Sequence, residues 1–299
     1  MTEVAIRTHG LTKRYGKARG VEELDLEVHR GEVFGFLGPN GAGKTTTIRV
    51  LLDLIRPTVG RAEVVGLDSR RDSMEIRRRV AYLPGDLSMH DGLTGREMID
   101  YLSRMRGSTE DARRDRLAAH FDLDLDRKIS DLSTGNRQKV GLVQAFLHRP
   151  EVLILDEPTT GLDPLMQIAT YELIEEAKSE GRTVFLSSHV LPEVERIADR
   201  VAIIREGRMV EVESVERLKD RAVRVLEVRF GGPPPAEDEL VSIAGVLRAR
   251  RHGDVVQLRI EGSMDPLVKY LARHEVTAIR SHEADLEDIF LDLYRGDGP

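Results

Sequence analysis

From the N-terminal end to about residue 210 the chain alternates short apolar runs with amphipathic ones. GEVFGFLG at 31–38 is nearly continuous in apolar character, which predicts a strand covered on both faces that feeds a glycine-rich turn. TTTIRVLLDLI at 45–55 has helical spacing and predicts a helix that Pro57 and Gly60 end. RVAYLP at 79–84 predicts another strand. LTGREMIDYLSRMRG at 93–107 predicts a helix, opened by Thr94 and Glu97 at capping-box spacing and closed by Gly107. EVLILDEP at 151–158 predicts a buried strand that runs into two carboxylates, and YELIEEAKSEG at 171–181 a helix stopped at Gly181. RTVFLSSH at 182–189 and RVAIIREG at 200–207 predict two further strands. Apolar strands alternating with helices imply an α/β fold around a largely parallel sheet.

The tail follows a different rhythm. VRVLEVRF at 223–230 alternates like a half-exposed strand, and GGPPPAEDE at 231–239 reads as a turn or loop. VLRARR and DVVQLRI flank His252-Gly253 as a hairpin, MDPLVKYLARH at 264–274 predicts a helix, and VTAIRSH at 276–282 a strand. ADLEDIFLDLY at 284–294 predicts a final amphipathic helix, with Leu286, Ile289, Phe290 and Leu293 on one stripe for packing against the tail or for a dimer contact. The order strand, short helix or loop, strand, strand, helix, strand is that of a ferredoxin-like α+β unit. The boundary falls near 212–222, dividing the chain into 1–215 and 216–299.

Composition narrows the function. The chain has 299 residues, 40% of them hydrophobic and 32% charged, enough for a substantial core. The formal charge is −7, which argues against a free nucleic-acid-binding module. There is no cysteine, which excludes disulfides, thiol catalysis and zinc–thiolate sites. MTEVAIRTHG lacks the basic start and apolar run of a signal peptide. No apolar stretch approaches the roughly 18 residues a membrane helix needs, so work at a membrane requires another chain to span it.

Gly38, Gly43, Lys44 and Thr45 satisfy G-x-x-x-x-G-K-[ST] between a predicted strand and a predicted helix. Glycines let backbone N–H groups wrap a polyphosphate, Lys44 places a charge on its β and γ groups, and Thr45 offers a hydroxyl to Mg²⁺. Asp156 ends an apolar strand, where it can hold the Mg²⁺ shell. Glu157 follows on the opposite side of the strand and can orient and deprotonate an attacking water. Alone, the acidic pair could equally cap a helix. A second anion-ready helix start lies at LSTGN, 132–136, where Ser133 and Gly135 precede a helix that Pro150 stops.

Taken in order, these landmarks resemble the ATP-binding subunit of an ABC transporter over roughly residues 3 to 215. The resemblance implies a P-loop NTPase fold with a helical subdomain at about 86–150 and a small ferredoxin-like C-terminal domain. It implies that Tyr15 stacks on adenine and that Gly38, Asn40, Gly41, Ala42, Gly43, Lys44, Thr45 and Thr46 hold the ATP phosphates. Thr45 and Asp156 would hold Mg²⁺, with Glu157 the catalytic base and His189 the switch histidine on the γ-phosphate. Ser133, Gly135 and Asn136 match the family signature, and Asp163 in GLDP matches the loop that crosses the dimer interface. In this family each ATP lies between the phosphate loop of one subunit and the signature helix of another. The second anion-ready helix start is therefore half of a partner's site, in a homodimer or with a paralogous ATPase subunit. An integral membrane permease subunit is the other partner implied, placing the chain peripherally on the cytoplasmic face of the cell membrane, with no nucleic acid expected.

The chain departs from the family in two places. The signature is usually Leu-Ser-Gly-Gly-Gln, and here Thr134 and Asn136 intervene. Where the family commonly has Gln or Glu after the YLP-like strand, this chain has Gly85 followed by Asp86, so that Asp86 or a water takes over the contact. His9, His29, His90, His120, His148, His252, His274 and His282 show no paired ligand spacing and read as surface or capping residues. The tail, ending in LEDIFLDLY, looks like that of bacterial drug, antibiotic or polysaccharide export ATPases. The expectation is an export ATPase, with a soluble ABC ATPase acting as a regulator or on ribosomes or DNA as the alternative.

Overall fold

The computed structural model describes residues 3–16, 18–107, 110–221 and 224–282. The chain divides into two units, Met1–Val212 and Glu213–Pro299. The helix expected at 284–294 lies outside the described residues.

The first unit opens with β1 (Val4–Tyr15), β2 (Ala18–His29) and β3 (Val33–Leu37), followed by α1 (Lys44–Leu51), β4 (Val59–Val64), β5 (Leu67–Asp68), α2 (Ser73–Arg79) and β6 (Val80–Leu83). Three helices come next, α3 (Gly95–Met105), α4 (Asp111–His120) and α5 (Thr134–Leu147), in the stretch read as a helical subdomain. Then follow β7 (Val152–Asp156), α6 (Pro164–Ser179), β8 (Thr183–Ser188), α7 (Leu191–Ile197), β9 (Arg200–Arg205) and β10 (Arg208–Ser214).

The apolar runs become the six-stranded sheet β10-β9-β3-β8-β7-β6, whose pairs β3–β8, β3–β9, β7–β8 and β6–β7 are all parallel. Every residue of β3, β7 and β8 is buried, because layers cover both faces. Alternate side chains go to different cores: Val33, Leu153, Leu155, Val184 and Leu186 pack with α5 and α6, while Phe34, Ile154 and Phe185 pack with α1 and a second sheet. Burying a side chain such as Phe185 fully stabilises the fold by about 1.5–3 kcal/mol.

The second sheet, β2-β1-β4-β5, is antiparallel and was not among the predicted elements. Its first pair has four register irregularities between Val4 and Arg14, which break the strict alternation that marks a strand in sequence. α1 also ends earlier than the 45–55 reading. Asp53 is left-handed at φ 52°, and the Arg77 guanidinium donates to Leu52 O at 3.1 Å and Asp53 O at 3.3 Å. That cap arrives from 25 residues away, so local pattern could not signal it.

The second unit contains α8 (Val215–Arg221), β11 (Arg224–Phe230), α9 (Glu237–Val241), β12 (Val246–His252), β13 (Val255–Ile260), α10 (Asp265–Leu271) and β14 (Val276–His282). Its sheet runs β12-β13-β11-β14, all antiparallel, which is the ferredoxin-like order. Leu226, Val228, Phe230, Val256, Leu258 and Ile260 form one apolar face against Leu240, Leu267 and Leu271.

Candidate functional site

The glycine-rich turn joins the end of β3 to the start of α1. Gly43 sits at φ 112°, and a Cβ there would meet Val21 Cγ1 at 2.6 Å and Gly20 O at 2.8 Å, so only glycine fits. Ala42 is buried in the apolar core, with its N–H donating to Pro39 O at 3.2 Å. Lys44 is the first residue of α1 and is only 5% exposed. Its ammonium donates to Gly38 O at 2.5 Å and Pro39 O at 3.2 Å, and lies 3.2 Å from Glu157 Oε1. These contacts hold the charge over the turn, where a phosphate would meet it.

β7 delivers Asp156, 1% exposed, to the same place. Its carboxylate accepts from Thr45 Oγ1 at 2.8 Å and from Ser187 Oγ. The expectation that Glu157 points to the opposite side of the strand fails. β7 ends at Asp156, and Glu157 is left-handed at φ 52°, which breaks the pleat and turns its carboxylate back toward Lys44. The Glu157 N–H donates to Ser187 O at 3.1 Å. Glu157 Oε2 lies 2.7 Å from His189 Nδ1 in a hydrogen bond, while Oε1 is buried and accepts none. A carboxylate fixed between an ammonium and an imidazole beside the phosphate turn is positioned to orient a water there. The Thr45 hydroxyl and Asp156 carboxylate are hard oxygen donors and fit Mg²⁺.

A cavity of about 510 Å³ is lined by the turn, by Tyr15 at its rim and by Thr46, Asp156 and Glu157. Asn40, Gly41, Lys44 and Thr45 also line it, as do Gly85 and Asp86. Tyr15 is 46% exposed, with Lys13 Nζ 5.2 Å above its ring. Position 85 faces the acid at its centre: a Cβ on Gly85 would stand 3.5 Å from Asp156 Cγ.

The signature residues do not line this cavity. Ser133 caps α5, its Oγ accepting the Asn136 N–H at 3.2 Å. Gly135 lies against the next loop, where a Cβ would sit 2.6 Å from Gly161 O. Asp163 caps α6, accepting from the Leu165 and Met166 N–H groups at 3.0 Å each. One chain thus places Ser133, Gly135, Asn136 and Asp163 away from its own phosphate turn.

Sequence reasoning missed three supporting residues. Ser187 is paired with Asp156 across parallel strands and serves both acids. It lies two residues before His189 in the apolar run, a polar intruder that could have been noticed. Glu193 accepts from Thr159 Oγ1 at 2.5 Å and Ser188 Oγ at 2.9 Å, tying α7 to the loop after β7. Gln138, 5% exposed, donates from Nε2 to Pro158 O at 2.9 Å and Glu157 O at 3.3 Å.

Comparison with known proteins agrees with this geometry. The family profile described as "ABC transporter" matches residues 21–160. The bacitracin transport ATP-binding protein BcrA of Bacillus licheniformis is 35% identical over 97% of this chain and 97% of its own length. The daunorubicin resistance ATP-binding protein DrrA3 of Streptomyces coeruleorubidus is 39% identical, over 82% of this chain and 80% of its own. A solved ATP-binding subunit of an ABC transporter superposes with a TM-score of 0.66 at 32% identity, covering 72% of this chain and 92% of the other. With the phosphate turn, the paired acids and the capped signature helix in the family's order, the chain belongs to the ATP-binding subunits of ABC transporters.

Proposed function

We propose that this chain powers the export of a small molecule, in the manner of a drug or antibiotic exporter, by binding and hydrolysing ATP in a head-to-tail pair. The observation that carries the hydrolytic part is the Glu157 carboxylate, set beside the phosphate turn between Lys44 at 3.2 Å and His189 at 2.7 Å. Glu157 takes the proton of the attacking water, and Lys44 neutralises charge on the phosphates. His189 orients Glu157 and reaches the γ-phosphate. Thr45 and Asp156 would hold Mg²⁺, which when bound neutralises phosphate charge. Tyr15 stacks on the base. Ser133, Gly135, Asn136 and Asp163 serve the nucleotide held by the other subunit, which accounts for their distance from their own turn.

Among the described residues no helix is long and apolar enough to cross a membrane. A permease subunit supplies the path, docking at the cytoplasmic face of the membrane on the segment from Leu87 to Gly107. A groove of about 880 Å³ beside α3, with Leu54, Met74 and Met105 exposed at its edge, offers the surface. The whole reading is tested with Glu157→Gln. The variant should bind ATP, turn over about 10²–10⁴-fold more slowly and accumulate as a dimer in ATP. Turnover at the wild-type rate would remove Glu157 as the base.

A further inference from the structure

β7 and β8 are neighbouring parallel strands, and the segments that leave their ends carry Glu157 and His189. A side chain that does not line the cavity joins these two exits. Glu193, in the first turn of α7, accepts from Thr159 Oγ1 with Oε1 at 2.5 Å and from Ser188 Oγ with Oε2 at 2.9 Å. Thr159 and Ser188 are both buried. Each carboxylate oxygen is thus committed to a different exit. α7 gives this brace a firm footing. Val194, next to Glu193, presses on β3 where Gly35 leaves room, and a Cβ on Gly35 would collide with its Cγ1. Leu191 and Ile197 are buried beside it, and past the helix the Asp199 N–H donates to Val33 O at 2.8 Å.

The histidine depends on this carboxylate for its backbone. The Ser188 hydroxyl has one proton and two acceptors in reach, Glu193 Oε2 at 2.9 Å and Val190 O at 3.4 Å. The shorter, charge-assisted bond is the stronger. With its proton directed there, Ser188 Oγ accepts the Val190 N–H at 2.9 Å. The residues on both sides of His189 are therefore fixed, while the His189 side chain is 44% exposed and meets Glu157 at 2.7 Å. On the other exit, the Thr160 N–H donates to Glu157 O at 3.2 Å and the Leu162 N–H to Thr159 O at 3.1 Å. A grip on Thr159 consequently fixes the turn that starts at Glu157.

We propose that Glu193 is a positioning residue for hydrolysis, its carboxylate bracing the two strand exits so that His189 and Glu157 stay paired. This rests on the reading above, in which those two residues act on the nucleotide. Turnover and KM for ATP are measured on the full chain with Mg²⁺. Glu193→Ala should lower kcat about 10–100-fold, because misplaced reacting groups cost that much, and leave KM within about two-fold. Glu193→Gln keeps the length and one acceptor oxygen and should recover most of the rate. In a His189→Ala background, removing Glu193 should cost less than about two-fold more, since the pairing it maintains is already gone. Ser188→Ala and Thr159→Val each cut one arm of the brace, and each should show part of the loss even where Glu193→Ala does not fold. Wild-type kcat in Glu193→Ala, or in both single-arm variants, overturns the proposal. An equal loss with and without His189 also overturns it, making Glu193 a general support of the fold, as does a loss confined to KM. Failure of the underlying reading shows separately: His189→Ala at the wild-type rate would remove the histidine from the reaction, and the proposal with it.

Discussion

Gly135 and Gly161 meet so closely that a Cβ on the first would stand 2.6 Å from the carbonyl oxygen of the second. The obstacle is backbone, not a side-chain tip that could swing away. α5 therefore begins directly on the loop that leads to Asp163.

The first prediction concerns that contact. In an open helix Gly→Ala is favourable by about 1 kcal/mol. Here overpacking should outweigh it, and Gly135→Ala should destabilise the fold by about 1–3 kcal/mol. Denaturant melts would show the loss, and ATP-driven dimerisation, followed by light scattering in a Glu157→Gln background, should weaken. Unchanged stability and dimerisation would mean the loop yields without cost.

The second concerns position 85. Gly85 is not left-handed, and a Cβ there would meet Asp156 O at 3.3 Å and Asp156 Cγ at 3.5 Å, a fit needing only a small shift. Gly85→Gln should therefore fold and extend its amide beside Asp156, tightening Mg²⁺ dependence of nucleotide binding several-fold. Asp86→Ala should weaken it, since Asp86 is the carboxylate beside that space on the cavity wall. Titration of Mn²⁺ by electron paramagnetic resonance with bound nucleotide reads both, and two flat responses would show that neither position bears on the metal.

The third is a pH dependence. Burial pushes the His148 imidazole below its usual range, and the Arg106 charge adds to the effect. The unfolded chain then takes the proton more readily. The contribution of neutral His148 is complete above about pH 6.5 and declines as pH falls below it toward the folded value. His148→Gln keeps a donor for its contact with Ser103 Oγ, 3.2 Å away, and removes the titration. Melting temperatures between pH 7.5 and 5 should fall less steeply in the variant, and parallel curves would refute the assignment.

The fourth concerns the capping box at the start of α3, where the Thr94 side chain accepts the Glu97 N–H and Glu97 answers the Thr94 N–H at 2.9 Å. Thr94→Ala should cost about 1 kcal/mol, measurable as a shift of the urea midpoint at unchanged slope.

Local chemistry made much of this legible. Thr94 and Glu97, the buried runs of β3, β7 and β8, and the glycine turn before Lys44 each announce themselves within a few residues. What escaped was set by distance along the chain or by irregularity. Arg77 shortens α1 from 25 residues away, and the bulges of β1 erase its alternation. The positive φ of Glu157 overrides the two-residue repeat that would have sent its carboxylate to the other side. Lys44, Thr45, Asp156, Glu157 and His189 meet in the folded chain, Ser133, Gly135, Asn136 and Asp163 lie apart from them, and the supports Ser187, Glu193 and Gln138 act through folded contacts that no short spacing encodes.

Gln138 carries a consequence for timing. Its amide grips the carbonyls of Glu157 and Pro158 from one turn inside α5. A tilt of that helix must drag the peptide bearing Glu157. In the head-to-tail pair proposed above, the helix end would answer to the neighbour's nucleotide, so each subunit's readiness to cleave would register whether its neighbour is loaded. A single buried amide would then act as a clutch between two engines that share no atoms.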